Sequence, residues 1–179
     1  ITPVAELESV VLAGTTVKRA SLHNANEIER LDIHIGDQVF VEKGGEIIPK
    51  ITSVNFDKRA QDSQPISYIT HCPECGTELI RPEGEANHYC PNQLGCPPQV
   101  LGAIEHFISR HALDIAHLGP RTIKGLFEHG LITQAADLFS LTFDDLNGLQ
   151  FTEQDPAKGD EKSRSIKEKT AENIMHALE

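Results

Sequence analysis

The sequence predicts a multidomain chain: a small β-rich unit, a segment carrying every cysteine, and an all-α unit. Three observations point there. Residues 1–71 hold short apolar runs with strand-like alternation. Residues 72–98 contain all four cysteines among Gly, Pro and Glu, with almost nothing to build a core. From Pro98 onward, over residues 99–179, apolar residues recur at helical spacing.

The β-rich unit comes first. Val10-Val11-Leu12 and Thr15-Thr16-Val17 predict a hairpin around Ala13-Gly14. Val39-Phe40-Val41 and Ile47-Ile48 flank Lys43-Gly44-Gly45-Glu46, a Gly-Gly hairpin signal. Ile51-Thr52-Ser53-Val54-Asn55-Phe56 is a further, partly alternating run. One helix interrupts the pattern: Asn24 reads as its N-cap with Glu27 three residues on, and Ile28 and Leu31 form the buried stripe. Four or five short strands and one helix make a small closed barrel, most simply an OB-fold, with an SH3-like barrel as the rival.

In the second segment Cys72-x2-Cys75 and Cys90-x5-Cys96 are two close pairs separated by a short connection. Such pairs bring four thiolates to the corners of a tetrahedron, the geometry Zn²⁺ prefers. A segment this poor in apolar residues cannot fold on burial alone, so the metal would supply its folding free energy. Two disulfides are the rival reading, and without a secretory signal they are disfavoured. Gly76 and Gly95 are expected to give the knuckle turns their freedom. His71 and His88 lie nearby, but four thiolates already fill the site, which makes both bystanders. With no position left for water, the metal is expected to be structural.

Val100, Leu101, Ile104, Phe107 and Ile108 predict the first helix of the third unit. Residues 112–118 read as a short apolar helix, followed by a tight Leu118-Gly119 turn and a new helix opening on Pro120. Ile123, Leu126 and Phe127 form the buried stripe of that helix, and Gly130 stops it. Its free N–H groups point outward and suit a DNA phosphate, with Gly119, Arg121, Thr122 and Lys124 as the candidate contacts. This is a helix-hairpin-helix pattern; a plain αα-corner is the alternative, and His117 stands where a Gly is expected. Leu138, Leu141, Leu146 and Leu149 predict short helices, with Thr142 and Asp145 as a capping pair. Ile166, Ala171, Ile174, Met175 and Leu178 predict a final helix. Residues 152–164 are charge-rich with no large apolar residue, which predicts a flexible insertion.

Composition removes whole classes. The chain has 179 residues, 39% hydrophobic and 24% charged, which excludes collagen-like, coiled-coil and disordered proteins. No apolar run approaches the roughly 18 residues of a membrane span, and no apolar segment at the start resembles a signal peptide, so a cytoplasmic location away from membranes is expected. Aromatics at 5% and no Trp argue against a stacking platform for single strands. The net charge is −11, and the acidic excess is spread along the chain. A polyanion would therefore be held by local clusters and backbone donors, not by the overall field. A chain opening on Ile1 is expected to be a processed product or a fragment.

Several stretches in order resemble the bacterial NAD-dependent DNA ligases. They are residues 1–8, Ala20-Ser21-Leu22-His23-Asn24, Asp32-Ile33-His34-Ile35-Gly36-Asp37, Gly45-Glu46-Ile47-Ile48-Pro49 and Glu83-Gly84-Glu85-Ala86, followed by the cysteines and the helical hairpin. The resemblance implies that the chain follows the family's nucleotidyltransferase domain. It would comprise the OB-fold domain, the four-cysteine zinc finger and the first part of a helix-hairpin-helix domain; the end of that domain and the family's BRCT domain lie outside the resemblance.

In that family a lysine attacks NAD to form an AMP adduct, AMP passes to the 5′-phosphate of a nick, and the 3′-hydroxyl displaces it with Mg²⁺ assisting. The adenylated lysine sits in Lys-x-Asp-Gly. Here Lys158-Gly159-Asp160 is followed by Glu161 where that motif needs Gly. The chain alone is therefore expected to be inactive in adenylation. NAD and Mg²⁺ would be bound mainly by the adenylation domain of the same enzyme.

The implied role is a grip on nicked double-stranded DNA during replication and repair. The barrel would lie on the duplex, the hairpins on the minor-groove backbone, and the finger would join them. Arg19 and Lys43 are the leading phosphate contacts on the barrel, with Lys18 and Lys50 behind them. Before Lys169 the chain departs from the family's second hairpin: Lys167 stands where Gly is expected and residues 152–164 are inserted ahead of it. The rival functions are a free-standing zinc-dependent DNA-binding repair accessory module and an acidic protein-interaction scaffold.

Overall fold

The computed structural model describes residues 1–12, 14–43, 48–154 and 161–179. Ala13, residues 44–47 (which include Gly44-Gly45 of the predicted hairpin) and residues 155–160 (which include Lys158-Gly159-Asp160) lie outside the described residues. The chain folds as two compact units, Ile1–Pro91 and Asn92–Glu179.

The first unit is a curled four-stranded sheet with one helix. Strands β1 (Val4–Leu12), β2 (Thr15–Ser21), β3 (Val39–Lys43) and β4 (Pro49–Val54) lie in the order β1-β2-β4-β3. The pairs β1–β2 and β3–β4 are the expected antiparallel hairpins, and β2 meets β4 in parallel at Ser21 and Lys50. β1 is longer than its apolar Val10-Val11-Leu12 end, and its register with β2 shifts between Glu6 and Val10. Such an irregularity bends a strand, as a curled sheet requires.

Helix α1 (Ala25–Leu31) starts where its cap places it: the Asn24 side chain accepts from the Glu27 N–H at 3.1 Å. It ends on Asp32, whose φ of 48° is left-handed. Ile28 and Leu31 turn inward and join Ala20, Leu22, Ile33, Ile51 and Val54 in the core.

A part-buried ion pair ties residues 32–37 to Arg59. Asp37, with its side chain 1% exposed, accepts two hydrogen bonds from Arg59 at 2.8 and 3.0 Å and one from the His34 N–H at 2.8 Å. Arg59 also pairs with the Asp32 carboxylate and carbonyl, and its guanidinium lies 4.7 Å from the centre of the Phe56 ring. These contacts hold both aspartates below the usual carboxylate range, chiefly through the Arg59 hydrogen bonds.

The second unit is helical, built on α2 (Pro97–Ile108), α3 (Pro120–Glu128), a 3₁₀ turn over Ala135–Ser140, α4 (Phe143–Leu146) and α5 (Glu168–Leu178). The residues chosen by helical spacing fill its core: Val100, Ile104, Ile108, Ile123, Leu126 and Ile174 are all buried. Thr142 and Asp145 form the expected reciprocal cap of α4.

Residues 112–118 are not a helix but a series of turns. Their N–H groups are spent on the end of α2: Leu113, Asp114 and Ile115 donate to the carbonyls of Phe107, Ser109 and Ile108. Asp114 and His117 then adopt left-handed φ values of 50° and 64°, which no continuous right-handed helix accommodates. Ile115 and Leu118 are buried all the same, so the apolar pattern reported burial and not helicity.

The stretch 152–164 is likewise not simply a flexible insertion. Its ends belong to β5 (Gln150–Gln154) and β6 (Glu161–Ser165), an antiparallel pair. Phe151 anchors this pair on α3: a Cβ added to Gly125 would stand 2.8 Å from the Phe151 ring.

Candidate metal centre and nucleic-acid interface

The metal centre is assembled from two knuckles. In the first, the Cys72 N–H donates to the Thr77 carbonyl at 2.8 Å, and the Gly76 N–H returns to the Cys72 carbonyl at 2.9 Å. Gly76 needs its φ of +70° to close this turn. In the second, the Cys96 N–H donates to the Asn92 carbonyl at 3.0 Å. Gly95 serves space there rather than φ, since an added Cβ would stand 2.8 Å from Asn92 Oδ1.

Cys96 is also the N-cap of α2, with Pro97 in the first turn. This explains the wide x5 spacing: the chain must turn and then start a helix on its last ligand.

The four sulfurs of Cys72, Cys75, Cys90 and Cys96 all lie within 4.8 Å of one another, with Cys75 and Cys90 3.5 Å apart. A tetrahedral zinc with bonds of about 2.3 Å needs sulfurs about 3.8 Å apart, so the set fits. The Cys75 thiol is lowered to about 6, first by hydrogen bonding to Thr77, which favours the thiolate a metal takes. His71 and His88 lie outside the sulfur set. His71 pairs with the Thr70 hydroxyl at 2.9 Å, and the His88 ring lies 4.6 Å from that of Tyr68.

The candidate phosphate contacts are dispersed. On the barrel Arg19 is exposed but paired with Glu6 at 3.1 Å across the β1–β2 ladder, while Lys43 reaches the Thr15 hydroxyl at 3.2 Å. Lys18 and Lys50 are exposed, Lys50 lying opposite Glu42 on β3. In the helical unit Gly119 caps α3 with extended backbone and no side-chain bond. Pro120 and Arg121 are exposed beside it, Thr122 is half-buried, and Lys124 pairs with Glu128 at 3.5 Å. The left-handed φ of His117 shows why a Gly is expected there.

Two family models match the chain: the OB-fold domain of NAD-dependent DNA ligase over residues 1–63, and the C4 zinc finger domain of NAD-dependent DNA ligase over residues 71–97. The barrel and the finger therefore belong to domain families of NAD-dependent DNA ligase. The curled sheet is thus the OB-fold, not an SH3-like barrel, and the C4 match together with the sulfur geometry supports a structural zinc.

Curated relatives named DNA ligase agree. The ligase of Flavobacterium johnsoniae is 57% identical over 99% of this chain, that of Bacteroides fragilis 54% over 99%, and that of Chlorobaculum tepidum 48% over 100%. The chain spans about a quarter of the length of these ligases, 24–27%. Among the described residues no helix is long and apolar enough to cross a membrane.

Two elements of this ligase segment escaped sequence reasoning. Asp37 lies in the stretch Asp32-Ile33-His34-Ile35-Gly36-Asp37, but its partner Arg59 lies 22 residues further on, a separation no short pattern reveals. Arg81 carried no signal at all.

Proposed function

We propose that this chain is the duplex-gripping part of a bacterial ligase that seals 5′-phosphate/3′-hydroxyl nicks in replication and repair, in the cytoplasm. Its partners are nicked double-stranded DNA and the adenylation domain of the same enzyme, which takes NAD and Mg²⁺. The domains are 1–71 for the barrel, 72–98 for the finger and 99–179 for an incomplete helix-hairpin-helix domain. Cys72, Cys75, Cys90 and Cys96 hold Zn²⁺, which supplies folding energy and no chemistry, since four thiolates leave it no position for water.

The observation that carries this reading is the ordered pair of ligase-family matches, barrel then finger, on a chain of net charge −11. An acidic chain grips a polyanion through placed donors. Gly119, Arg121, Thr122 and Lys124 at the start of α3 offer backbone N–H groups and charge to a backbone phosphate, while Lys43, Arg19, Lys18 and Lys50 offer charge from the barrel. Arg19 must trade Glu6 for phosphate, and Lys124 must trade Glu128, which makes each a weaker contact than Lys43.

The test supplies the adenylation domain separately and measures sealing of a nicked duplex with and without this chain. Restored sealing, with no adenylate formed on the chain itself, is the expected result. A self-adenylated chain, or sealing unaffected by its addition, overturns the reading.

A further inference from the structure

We infer that Arg81, in the turn that closes the finger's hairpin, is a pre-oriented phosphate-binding residue for the duplex. The inference deepens the proposed grip and rests on it.

Arg81 lies just beyond the bridge between Ile80 and Tyr89, at the head of the turn Pro82-Glu83-Gly84-Glu85. That turn is closed by the Glu85 N–H donating to the Pro82 carbonyl at 3.1 Å, with Gly84 at φ +82°. Two contacts fix the guanidinium. Nε donates to the Glu85 carbonyl at 2.6 Å, and Nη2 donates to Asn26 Oδ1, in the first turn of α1, at 2.8 Å. An arginine has five N–H donors, so three remain for a ligand. Asn26, Arg81 and the turn residues line a concavity of about 380 Å³.

The nature of the acceptors decides the assignment. Arg19, Arg30, Arg59, Lys124 and Lys169 are each held by a carboxylate, which cancels their charge. Arg81 is held by a carbonyl and an amide, both neutral, so it is anchored without being neutralised. Glu83 and Glu85 line the same concavity; the Glu85 carboxylate is hydrogen-bonded to Tyr89, and the Arg81 guanidinium donates to neither carboxylate. An exposed guanidinium that is fixed by neutral groups loses little freedom on meeting a phosphate and can offer it a fork of donors. In a chain this acidic, such a cation adds what the overall field lacks. Lys43, bound to the Thr15 hydroxyl, shares the property with fewer anchors.

The experiment uses the full-length ligase and a nicked duplex. Arg81→Gln is expected to lower the slope of log K against log salt by about 0.9, the loss of one phosphate contact. Asn26→Ala, which removes one of the two anchors of the guanidinium but keeps its charge, is expected to weaken binding about three- to tenfold with the slope unchanged. Zinc content and self-adenylation from NAD should match wild type in both. Modification of the unaltered enzyme by phenylglyoxal, read by mass spectrometry, needs no variant: the duplex should protect Arg81. Equal modification with and without a duplex that does bind, or an unchanged slope in a zinc-replete Arg81→Gln enzyme, overturns this inference alone. Duplex binding unchanged when residues 1–179 are deleted from the full-length enzyme would overturn the proposed grip instead.

Discussion

The two units of this chain reach stability by different routes. Among the described residues the core of the helical unit gathers fourteen buried side chains, while that of the barrel unit gathers seven over a similar length of chain. The helical unit can rest on apolar burial, at roughly 25 cal/mol per Å² removed from water. The barrel unit supplements a small core with the Arg59–Asp37 ion pair and with Cys72, Cys75 and Cys90, three of the four clustered cysteines. Chain length does not set the route; the spacing of its large apolar residues does.

Metal removal breaks the comparison hardest. Structural zinc contributes on the order of 10 kcal/mol to small fingers. Cys75→Ser, or a strong chelator, should therefore unfold residues 72–98 and empty the site, while α3 to α5 keep their helical signal. Hydrogen exchange beside a zinc-to-protein ratio checks this; unchanged protection and zinc content would remove the structural-metal reading.

Core truncation is the converse and should be smaller. Leu126, 0% exposed, lies at the centre of the helical core. Leu126→Ala is expected to cost about 2–5 kcal/mol in urea unfolding with zinc content unchanged. Loss of zinc in that variant would mean that the two units do not stand on separate supports.

Acid sharpens the contrast most gently. Asp37 has a depressed pKa in the folded barrel, so its contribution is complete above its ordinary value of 3.8 and is lost as pH falls through the lower folded value. Asp37→Asn should lower the melting temperature at neutral pH and flatten its acid dependence below pH 4. A variant whose acid profile matches the parent's would show that Arg59 holds the segment without that charge.

Much of this was legible beforehand because the controlling interactions are local. Asn24 and Glu27, Thr142 and Asp145, and the pairs of cysteines lie within a few residues of their partners, and the helical stripes need only a repeating period. The turns at 112–118 were read as a helix because periodicity measures which residues face the core, whereas the end of α2 claims their N–H groups. The β5–β6 pair was missed because charged residues hide a strand whose one anchor, Phe151, finds its place only against Gly125 on α3.

The sequence by itself determined the elements whose energy comes from neighbours along the chain: the caps, the hairpins, the apolar faces and the metal-binding cysteines. Tertiary structure alone decided which charges are cancelled and which are kept. Arg59 finds its aspartates 22 and 27 residues back, and Arg81 finds Asn26 across 55 residues. Electrostatic partnership depends on distance through space, and only the folded chain sets that distance.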